Sequence, residues 1–308
     1  MDSRPVLTLA DLPLDCLEAV CLCLCREGGY AIGPSTSSNS NPAALAHLAT
    51  TCAALRAAAA SALARLTHLD LTPPRIVALI PRPTRGTLTR PLTPAELGAA
   101  TPLIAALLSK CTAAASVDLS RGFGYVSDAT LDALGGAAGA SLRTLRLSHC
   151  TRLTAPALAR LAAAAPFLAA LSLAAVPAAG EMGALDGFTA LEDLDVAWVR
   201  SFGGGSTASP SSLRLTLTRA ALRGCEGVGD AALATLLSPA LTHLDLAFTA
   251  VSDAGLAAVA AGAPSLRTLV VANSERCDEI WSTGFYSAGG LRRFRAAAPG
   301  VTVVLVAS

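Results

Sequence analysis

The sequence has 308 residues, a formal net charge of +1 and a hydrophobic fraction of 53%. This length is ample for a buried core, and the near-zero charge argues against general nucleic-acid binding through phosphate attraction. Residues 161–180 carry no charge and could span a bilayer by length, but Pro166 and Pro177 interrupt them and alanine is only weakly apolar. We therefore predict no membrane segment at this point of the chain.

Cysteine usage and the N-terminal composition predict a cytoplasmic or nuclear protein. The nine cysteines are odd in number and several recur at one repeat position, which is typical of reduced thiols. The first 18 residues are acidic and lack the basic start and apolar core of a signal or transit peptide. Cys21, Cys23 and Cys25 do not have the spacing of a structural zinc site, so we expect no metal and no cofactor.

The chain begins with two segments whose apolar residues recur at helical spacing. Residues 9–25 form the first segment, a polar stretch rich in glycine and serine over 28–41 predicts a loop, and the alanine-rich residues 42–66 form the second segment. We predict that residues 1–65 are a small all-helical module. Its apolar positions are Leu12, Pro13, Leu14, Leu17, Val20, Leu24, Leu45, Leu48, Cys52 and Leu55.

The rest of the chain repeats one pattern, seen most clearly over residues 142–168. Leu142, Leu145 and Leu147 form an LxxLxL motif, in which the last two leucines share one face of a short strand. Cys150 follows in the turn, and Thr154 stands where a helix should begin and could accept a hydrogen bond from a free N–H group. Each unit is one strand and one helix, too small to bury its apolar side alone.

Aligning other segments on this unit predicts about nine repeats over residues 66–308. The fold class is therefore α/β, a solenoid made of a curved stack of parallel strands with outer helices, preceded by the helical module. Val301, Val304 and Val306 are predicted to supply the core positions of the last repeat, and insertions are expected near residues 72–92, 200–212 and 274–284. The first core position of each repeat falls at residues 66, 114, 142, 168, 191, 217, 241, 266 and 301.

These two parts together resemble the F-box and leucine-rich-repeat protein family. The N-terminal segments look like an F-box, which opens on Leu12-Pro13 and closes on a Cys-x-x-Trp-like step, with Leu55 at the position of the tryptophan. The repeats look like the cysteine-containing class, with Cys150 and Cys225 at the signature position.

The resemblance implies a substrate-recognition subunit of a Skp–cullin ubiquitin ligase. In that family the helical module binds the Skp adaptor and the repeats bind a protein substrate, which assigns adaptor binding to the ten apolar positions of residues 1–65. The alternative is that the N-terminal helices only cap the solenoid, as terminal repeats require, and that the protein is a scaffold or regulator with no ligase connection.

The aromatic residues predict a binding surface at one edge of the repeats. Eight of the twelve fall between a strand and the following helix or insertion, and stacking should bring these loops together. Aromatic side chains dominate binding hot spots, although some of these rings could instead fill the space between loops. The predicted substrate-binding residues are Phe123, Tyr125, Trp198, Phe202, Phe248, Trp281, Phe285 and Tyr286.

The solvent-facing side of the strands is the second candidate surface, and catalysis finds little support. The four histidines lie at strand or helix positions without a nucleophile pattern, and no Walker loop, HExxH or GxSxG motif occurs. We therefore expect a protein without enzymatic activity. The strand residues of the second surface are Arg146, Ser172, Asp195, Ala221, Asp245 and Val270.

Overall fold

The computed structural model describes residues 53–72, 101–102, 104–180, 182–204, 217–272 and 286–306. Most of the predicted helical module, from Leu12 to Cys52, lies outside these residues, as do Trp281 and Phe285. Leu55 lies within the first described helix. The predicted insertions at 72–92, 200–212 and 274–284 fall largely outside the described residues too.

Nine short parallel strands form one sheet in which neighbours in space are neighbours in sequence. This order means that every crossover advances the chain by one strand in the same direction. A doubly wound sheet would reverse direction at a switch point, and that reversal is missing from the described strands. The strands are β1 (His68–Asp70), β2 (Ser116–Asp118), β3 (Thr144–Arg146), β4 (Ala170–Ser172), β5 (Asp193–Asp195), β6 (Arg219–Ala221), β7 (His243–Asp245), β8 (Thr268–Ala272) and β9 (Thr302–Val306).

Helices connect most of the strands, but one repeat replaces its helix by two 3-10 turns, Pro177–Gly180 and Met182–Leu185. The uncharged residues 161–180 thus belong to the end of a helix, strand β4 and the first of these turns. None of the helices in the described part of the chain has the length and apolar character that a membrane span needs. The α-helices with both ends among the described residues are α1 (Ala53–Ala64), α2 (Asp128–Ala138), α3 (Ala155–Ala164), α4 (Asp230–Leu236), α5 (Asp253–Gly262) and α6 (Ala288–Ala297). Residues 104–108, between β1 and β2, are also helical.

The register of the strands puts one apolar residue of every repeat into a single column. Burial of this column joins the repeats into one core, because each strand face is covered by the helix or turn of its own unit and by its neighbours. The pairing confirms the predicted α/β leucine-rich-repeat solenoid. The column consists of Leu69, Val117, Leu145, Leu171, Leu194, Ala220, Leu244, Leu269 and Val303.

The last strand departs from the predicted pattern by one residue. Val303, and not the predicted Val304, pairs with Leu269 and packs against the core, while Val304 is exposed. The backbone N–H of Thr302, directly after the core residue Val301, donates to the Arg267 carbonyl. In strands β2 to β8, two consecutive backbone N–H groups donate to the same carbonyl of the preceding repeat where the strand begins. The last repeat has one such N–H group, so it is one residue shorter between its first core residue and its strand. The face on which each later side chain lies shifts by one residue as a result.

The helix starts of successive repeats are linked by an aspartate. Asp253 is the first residue of α5, and its carboxylate accepts hydrogen bonds from the Ser287 backbone N–H at 2.6 Å and the Ser287 hydroxyl at 2.8 Å, at the N-cap of α6. Asp230 accepts the same pair of bonds from Ser252. Asp128 does so from Thr154, so the Thr154 hydroxyl donates to the preceding repeat and does not cap its own helix as the sequence predicted.

Removing the central side chain of the column should destabilise the whole stack. We expect Leu145→Ala, at a position with 0% exposure, to cost about 2–5 kcal/mol of unfolding free energy through lost burial and a cavity. The control is Leu305→Ala on the outer strand, where the side chain is 45% exposed and the cost should be below about 1 kcal/mol. Urea unfolding measures both, and equal costs would contradict a continuous core.

The aspartate link should make stability depend on acid pH. The Ser287 hydrogen bonds and the nearby Arg293 hold the pKa of Asp253 below its usual 3.8. A lowered folded-state pKa stabilises the fold above the unfolded pKa, and this contribution is lost as the pH falls through the folded value. We expect Asp253→Asn to lower the melting temperature at pH 7, with the difference from wild type shrinking below about pH 4.

The control for this pH dependence is Asp132→Asn, which breaks only the exposed Asp132–Arg160 ion pair on the helical side and should change little. Parallel pH profiles for wild type and Asp253→Asn would contradict the role of the carboxylate.

Candidate functional site

One residue in each repeat from the second to the seventh has left-handed backbone geometry. It lies in the turn after the strand, and five of the six are not glycine, with φ between 56° and 64°. Such φ values cost roughly 1–2 kcal/mol for a residue with a Cβ, so their recurrence at one offset means that the stack imposes them. These residues are Arg121, His149, Ala175, Trp198, Gly224 and Phe248.

Backbone hydrogen bonds hold this left-handed row in place. The N–H of Trp198 donates to the Arg223 carbonyl at 2.6 Å, and the N–H of Gly224 donates to the Ala247 carbonyl at 2.9 Å. In each case the acceptor directly precedes the left-handed residue of the next repeat. This row was not among the predicted sites, because its side chains share no chemistry. The available signal was the constant offset, immediately before the repeat cysteine at His149 and Gly224.

The row brings two of the predicted aromatic residues together across a repeat. Trp198 lies over Gly224 and reaches Phe248, two repeats away, with ring centroids 6.2 Å apart and planes inclined by 22°. A Cβ at Gly224 would lie 2.3 Å from Trp198 Cε3, so only glycine leaves room for the indole. Phe248 is half-buried, while Trp198 remains 52% exposed. We call Trp198, Gly224 and Phe248 the aromatic platform.

A second pair of rings lies on the same edge, nearer the N-terminus. Phe123 is exposed and contacts His149 of the next repeat, with centroids 5.8 Å apart and planes inclined by 45°. An ion pair lies near the platform, where the exposed side chains of Arg200 and Glu226 are 3.3 Å apart. This edge therefore combines exposed rings with a charged border, as the rim of a protein interface does.

Three other predicted substrate-binding residues are in the core. Tyr125, Phe202 and Tyr286 are each buried, and they fill the layer beneath the loops. The Tyr125 hydroxyl donates to the Leu71 carbonyl and the Tyr286 hydroxyl to the Ala272 carbonyl, each closing the end of a strand. Their burial leaves Phe123, Trp198 and Phe248 as the predicted rings that the structure places at or near the surface of this edge.

The repeat cysteines are buried hydrogen-bond donors. Cys150 donates through its thiol to the Leu119 carbonyl at 3.2 Å, and Cys225 donates to the Val196 carbonyl at 3.1 Å, in both cases across to the preceding repeat. Burial raises the pKa of each thiol to about 12. Both side chains are therefore protonated at neutral pH, and neither is a nucleophile, since a nucleophile requires the thiolate. Their hydrogen bonds instead link each repeat to the preceding one.

The other candidate chemical groups are dispersed. His68 and His243 occupy the same strand position in β1 and β7, and His149 belongs to the left-handed row. Over the described ranges, His, Cys, Asp and Glu side chains do not gather in threes as metal ligands.

Comparison with known proteins finds only distant structural similarity. No protein-family model and no curated protein matches the sequence significantly. A chain of the crystal structure of the yeast Rad7 and Elc1 complex is similar at 16% identity and a TM-score of 0.47, over 97% of this chain and 88% of that one. The leucine-rich repeat-containing protein LegL7 from Legionella pneumophila is similar at 15% identity and a TM-score of 0.41, over 88% and 89% of the two chains. Both scores lie below 0.5, so the fold assignment rests on the strand register.

Adding a methyl group at Gly224 should break up the platform. We expect Gly224→Ala to cost about 1–3 kcal/mol, because the position has φ of 70° and the new Cβ would overlap the indole of Trp198. Near-ultraviolet circular dichroism should report the altered ring packing and urea unfolding the lost stability.

The matched control for Gly224→Ala is Gly136→Ala, at an exposed helical position whose Cβ would meet nothing within 4 Å. Alanine should stabilise this position by roughly 0.5–1 kcal/mol. An unchanged near-ultraviolet spectrum in Gly224→Ala would contradict the packing.

Proposed function

We propose that this protein is a non-catalytic protein-binding solenoid that holds its partner on the aromatic edge. The observation that supports this most directly is the exposed Trp198 stacked on Phe248 over Gly224. A tryptophan left half in water, while its neighbours fill the core, is the kind of residue that dominates the energy of protein interfaces.

The turns that carry the platform are suited to binding because their backbone conformation is fixed in the absence of a partner. The backbone bonds from Trp198 and Gly224 to the next repeats fix the loop conformation. A preorganised surface loses little conformational entropy on association, so more of the contact energy remains as affinity. Phe123 and the Arg200–Glu226 pair extend the same edge and add a second ring and a polar border.

We further propose that the bound protein is the substrate of a Skp–cullin ubiquitin ligase. What supports this is the sequence resemblance of residues 1–65 to an F-box, above all Leu12-Pro13 and the spaced apolar positions from Leu17 to Leu55. The N-terminal module binds the Skp adaptor, and the repeats present a substrate. The protein does no chemistry itself and acts by raising the local concentration of substrate at the ligase.

A scaffold with no ligase connection is the second candidate, and one structural observation favours it. Ala62 and Leu63, in the last turn of α1, are buried in the same core as the repeats. The Ala113 backbone N–H also donates to the Ala64 carbonyl. The C-terminal end of α1 therefore covers the first repeat, as a cap does. Leu55 in place of the family's tryptophan favours the same reading.

The aromatic edge is tested by partner capture with folded variants of the full chain. We expect Trp198→Ala to weaken capture of the proteins that co-purify with wild type by about thirtyfold or more, since a central aromatic anchor contributes about 2 kcal/mol or more. The matched control is Phe167→Ala, because Phe167 is 54% exposed but precedes its strand and so lies at the opposite edge of the sheet. Equal capture by both variants would reject the edge.

The ligase connection is tested separately with the adaptor alone. We expect the full chain to retain purified Skp adaptor, and the double variant Leu12→Ala/Pro13→Ala to lose it while keeping the partner that Trp198→Ala loses. If wild type fails to bind the adaptor under conditions in which a standard F-box protein binds it, the ligase proposal is rejected and the scaffold function remains. The two variants therefore separate the two proposed surfaces.

A further inference from the structure

The solvent-facing side of the sheet contains a recess where strand β4 carries small side chains. Register aligns Ala170 between Thr144 and Asp193, and aligns Ser172 between Arg146 and Asp195. Neighbouring side chains in such rows stand side by side on one face of the sheet. Small residues on β4 therefore leave a gap between the longer side chains of β3 and β5.

This recess is a cavity of about 360 Å³. Its volume lies at the lower end of the range for ligand sites, so it has room for one long side chain together with part of the backbone that carries it. One wall carries Arg146 and Thr144, and the other carries the two aspartates. The lining residues are Thr144, Leu145, Arg146, Ala170, Leu171, Ser172, Asp193 and Asp195.

The two aspartates of the cavity differ in their partners. Asp195 is held by its neighbours, because one carboxylate oxygen accepts from the Ala197 N–H at 3.1 Å and the other from the Ser172 hydroxyl at 2.8 Å. Asp193 is half-buried, and none of the described residues donates a hydrogen bond to its carboxylate or forms an ion pair with it. Burial raises the pKa of Asp193, with the positive charge of Arg219 partly opposing the shift.

Several other charged side chains on this face of the sheet, among the described residues, form ion pairs with one another. Arg146 pairs with Asp118 at 3.7 Å, and Arg223 pairs with Asp245 at 3.0 Å. Arg219 stands beside Asp193 in the row but is exposed and not bonded to it. His243 lies one strand further along the same row. Arg219, Arg146 and His243 act on Asp193 through their charge, but none of these described side chains forms an ion pair with either carboxylate of β5.

We propose that this cavity receives a lysine or arginine side chain from an extended segment of a partner protein. Asp193 accepts the charge-assisted hydrogen bond, Asp195 is fixed in place by Ser172 to accept a second, and Ala170 provides the room. An anionic group would face two carboxylates, while Arg146, the cation among the described lining residues, forms an ion pair with Asp118. An open sheet face suits an extended chain, whose side chains alternate toward and away from it.

The cavity is separate from the aromatic edge, because it lies on the strands and the platform lies in the turns after them. The probe is the peptide acetyl-Gly-Ser-Arg-Ser-Gly-amide, with analogues in which lysine, glutamine or glutamate replaces arginine. Ligand-observed saturation-transfer NMR with the full-length protein measures their dissociation constants. We expect the arginine and lysine peptides to bind roughly three- to tenfold more tightly than the glutamine peptide, and the glutamate peptide most weakly.

Four variants locate the binding. We expect Asp193→Asn to weaken the arginine peptide by roughly three- to tenfold, and Ala170→Leu to do the same by filling the cavity. Ser116→Leu places the same side chain in the same row two strands away and should change nothing. Arg219→Gln removes a competing cation next to Asp193 and should strengthen binding by about twofold, as expected for an exposed charge.

Three results would overturn the proposal. Equal affinity for the arginine, glutamine and glutamate peptides would show that binding does not depend on the charge of the side chain. Equal effects of Ala170→Leu and Ser116→Leu would show that the cavity is not used. Binding of free L-arginine as tight as that of the peptide would identify a small molecule, and not an extended protein segment, as the occupant.

Discussion

The structure depends on one constraint, the shared register that places an apolar residue of every repeat in a single buried column. A three-residue strand with one helix cannot exclude water from its own apolar face, so each repeat is stable only between its neighbours. The column from Leu69 to Leu269 satisfies this need without exception. Strand β9 has no strand beyond it within the described residues. Its Leu305 pairs with the buried Val271 of β8 but is itself exposed.

The same constraint explains the left-handed turns. Fixed register makes the chain leave strands β2 to β7 at equivalent positions and reach the outer layer through the same turn. The backbone therefore takes φ near +60° whatever the side chain is, at Arg121 as at Phe248. Hydrogen bonds to the next repeat and the buried thiols of Cys150 and Cys225 offset this strain. A position whose backbone is fixed by its neighbours leaves its side chain free to vary, which is where binding specificity can develop.

The fold could be predicted from the sequence because the spacing of the leucines determines the register of the strands. The core residue of one strand pairs with the core residue of the next. The alignment on Leu142 located eight of the nine strands correctly and failed at the ninth, where one residue is missing after Val301 and the pattern of valines reads equally well in either register. The binding edge was harder to predict. Being in a loop does not by itself separate Tyr125, whose hydroxyl reaches a strand carbonyl in the core, from Trp198, whose ring lies outside. The distance from the strand does, because Tyr125 and Phe202 each follow their strand by seven residues and are buried, whereas Trp198 and Phe248 each follow theirs by three.

Both candidate surfaces arise where one row of the stack contains a small residue. In a solenoid each row is a one-dimensional series of side chains, and a full-sized residue keeps its two neighbours apart. Gly224 removes that separation in the turns, so Trp198 and Phe248 meet across it. Ala170 removes it on the strands, but there the neighbours are Thr144 and Asp193, which do not close the gap. The first gap is filled by an apolar contact and presents a flat ring, while the second stays open and charged. A repeat protein can thus acquire different recognition chemistry on two of its surfaces by shortening single side chains, with the buried column unchanged.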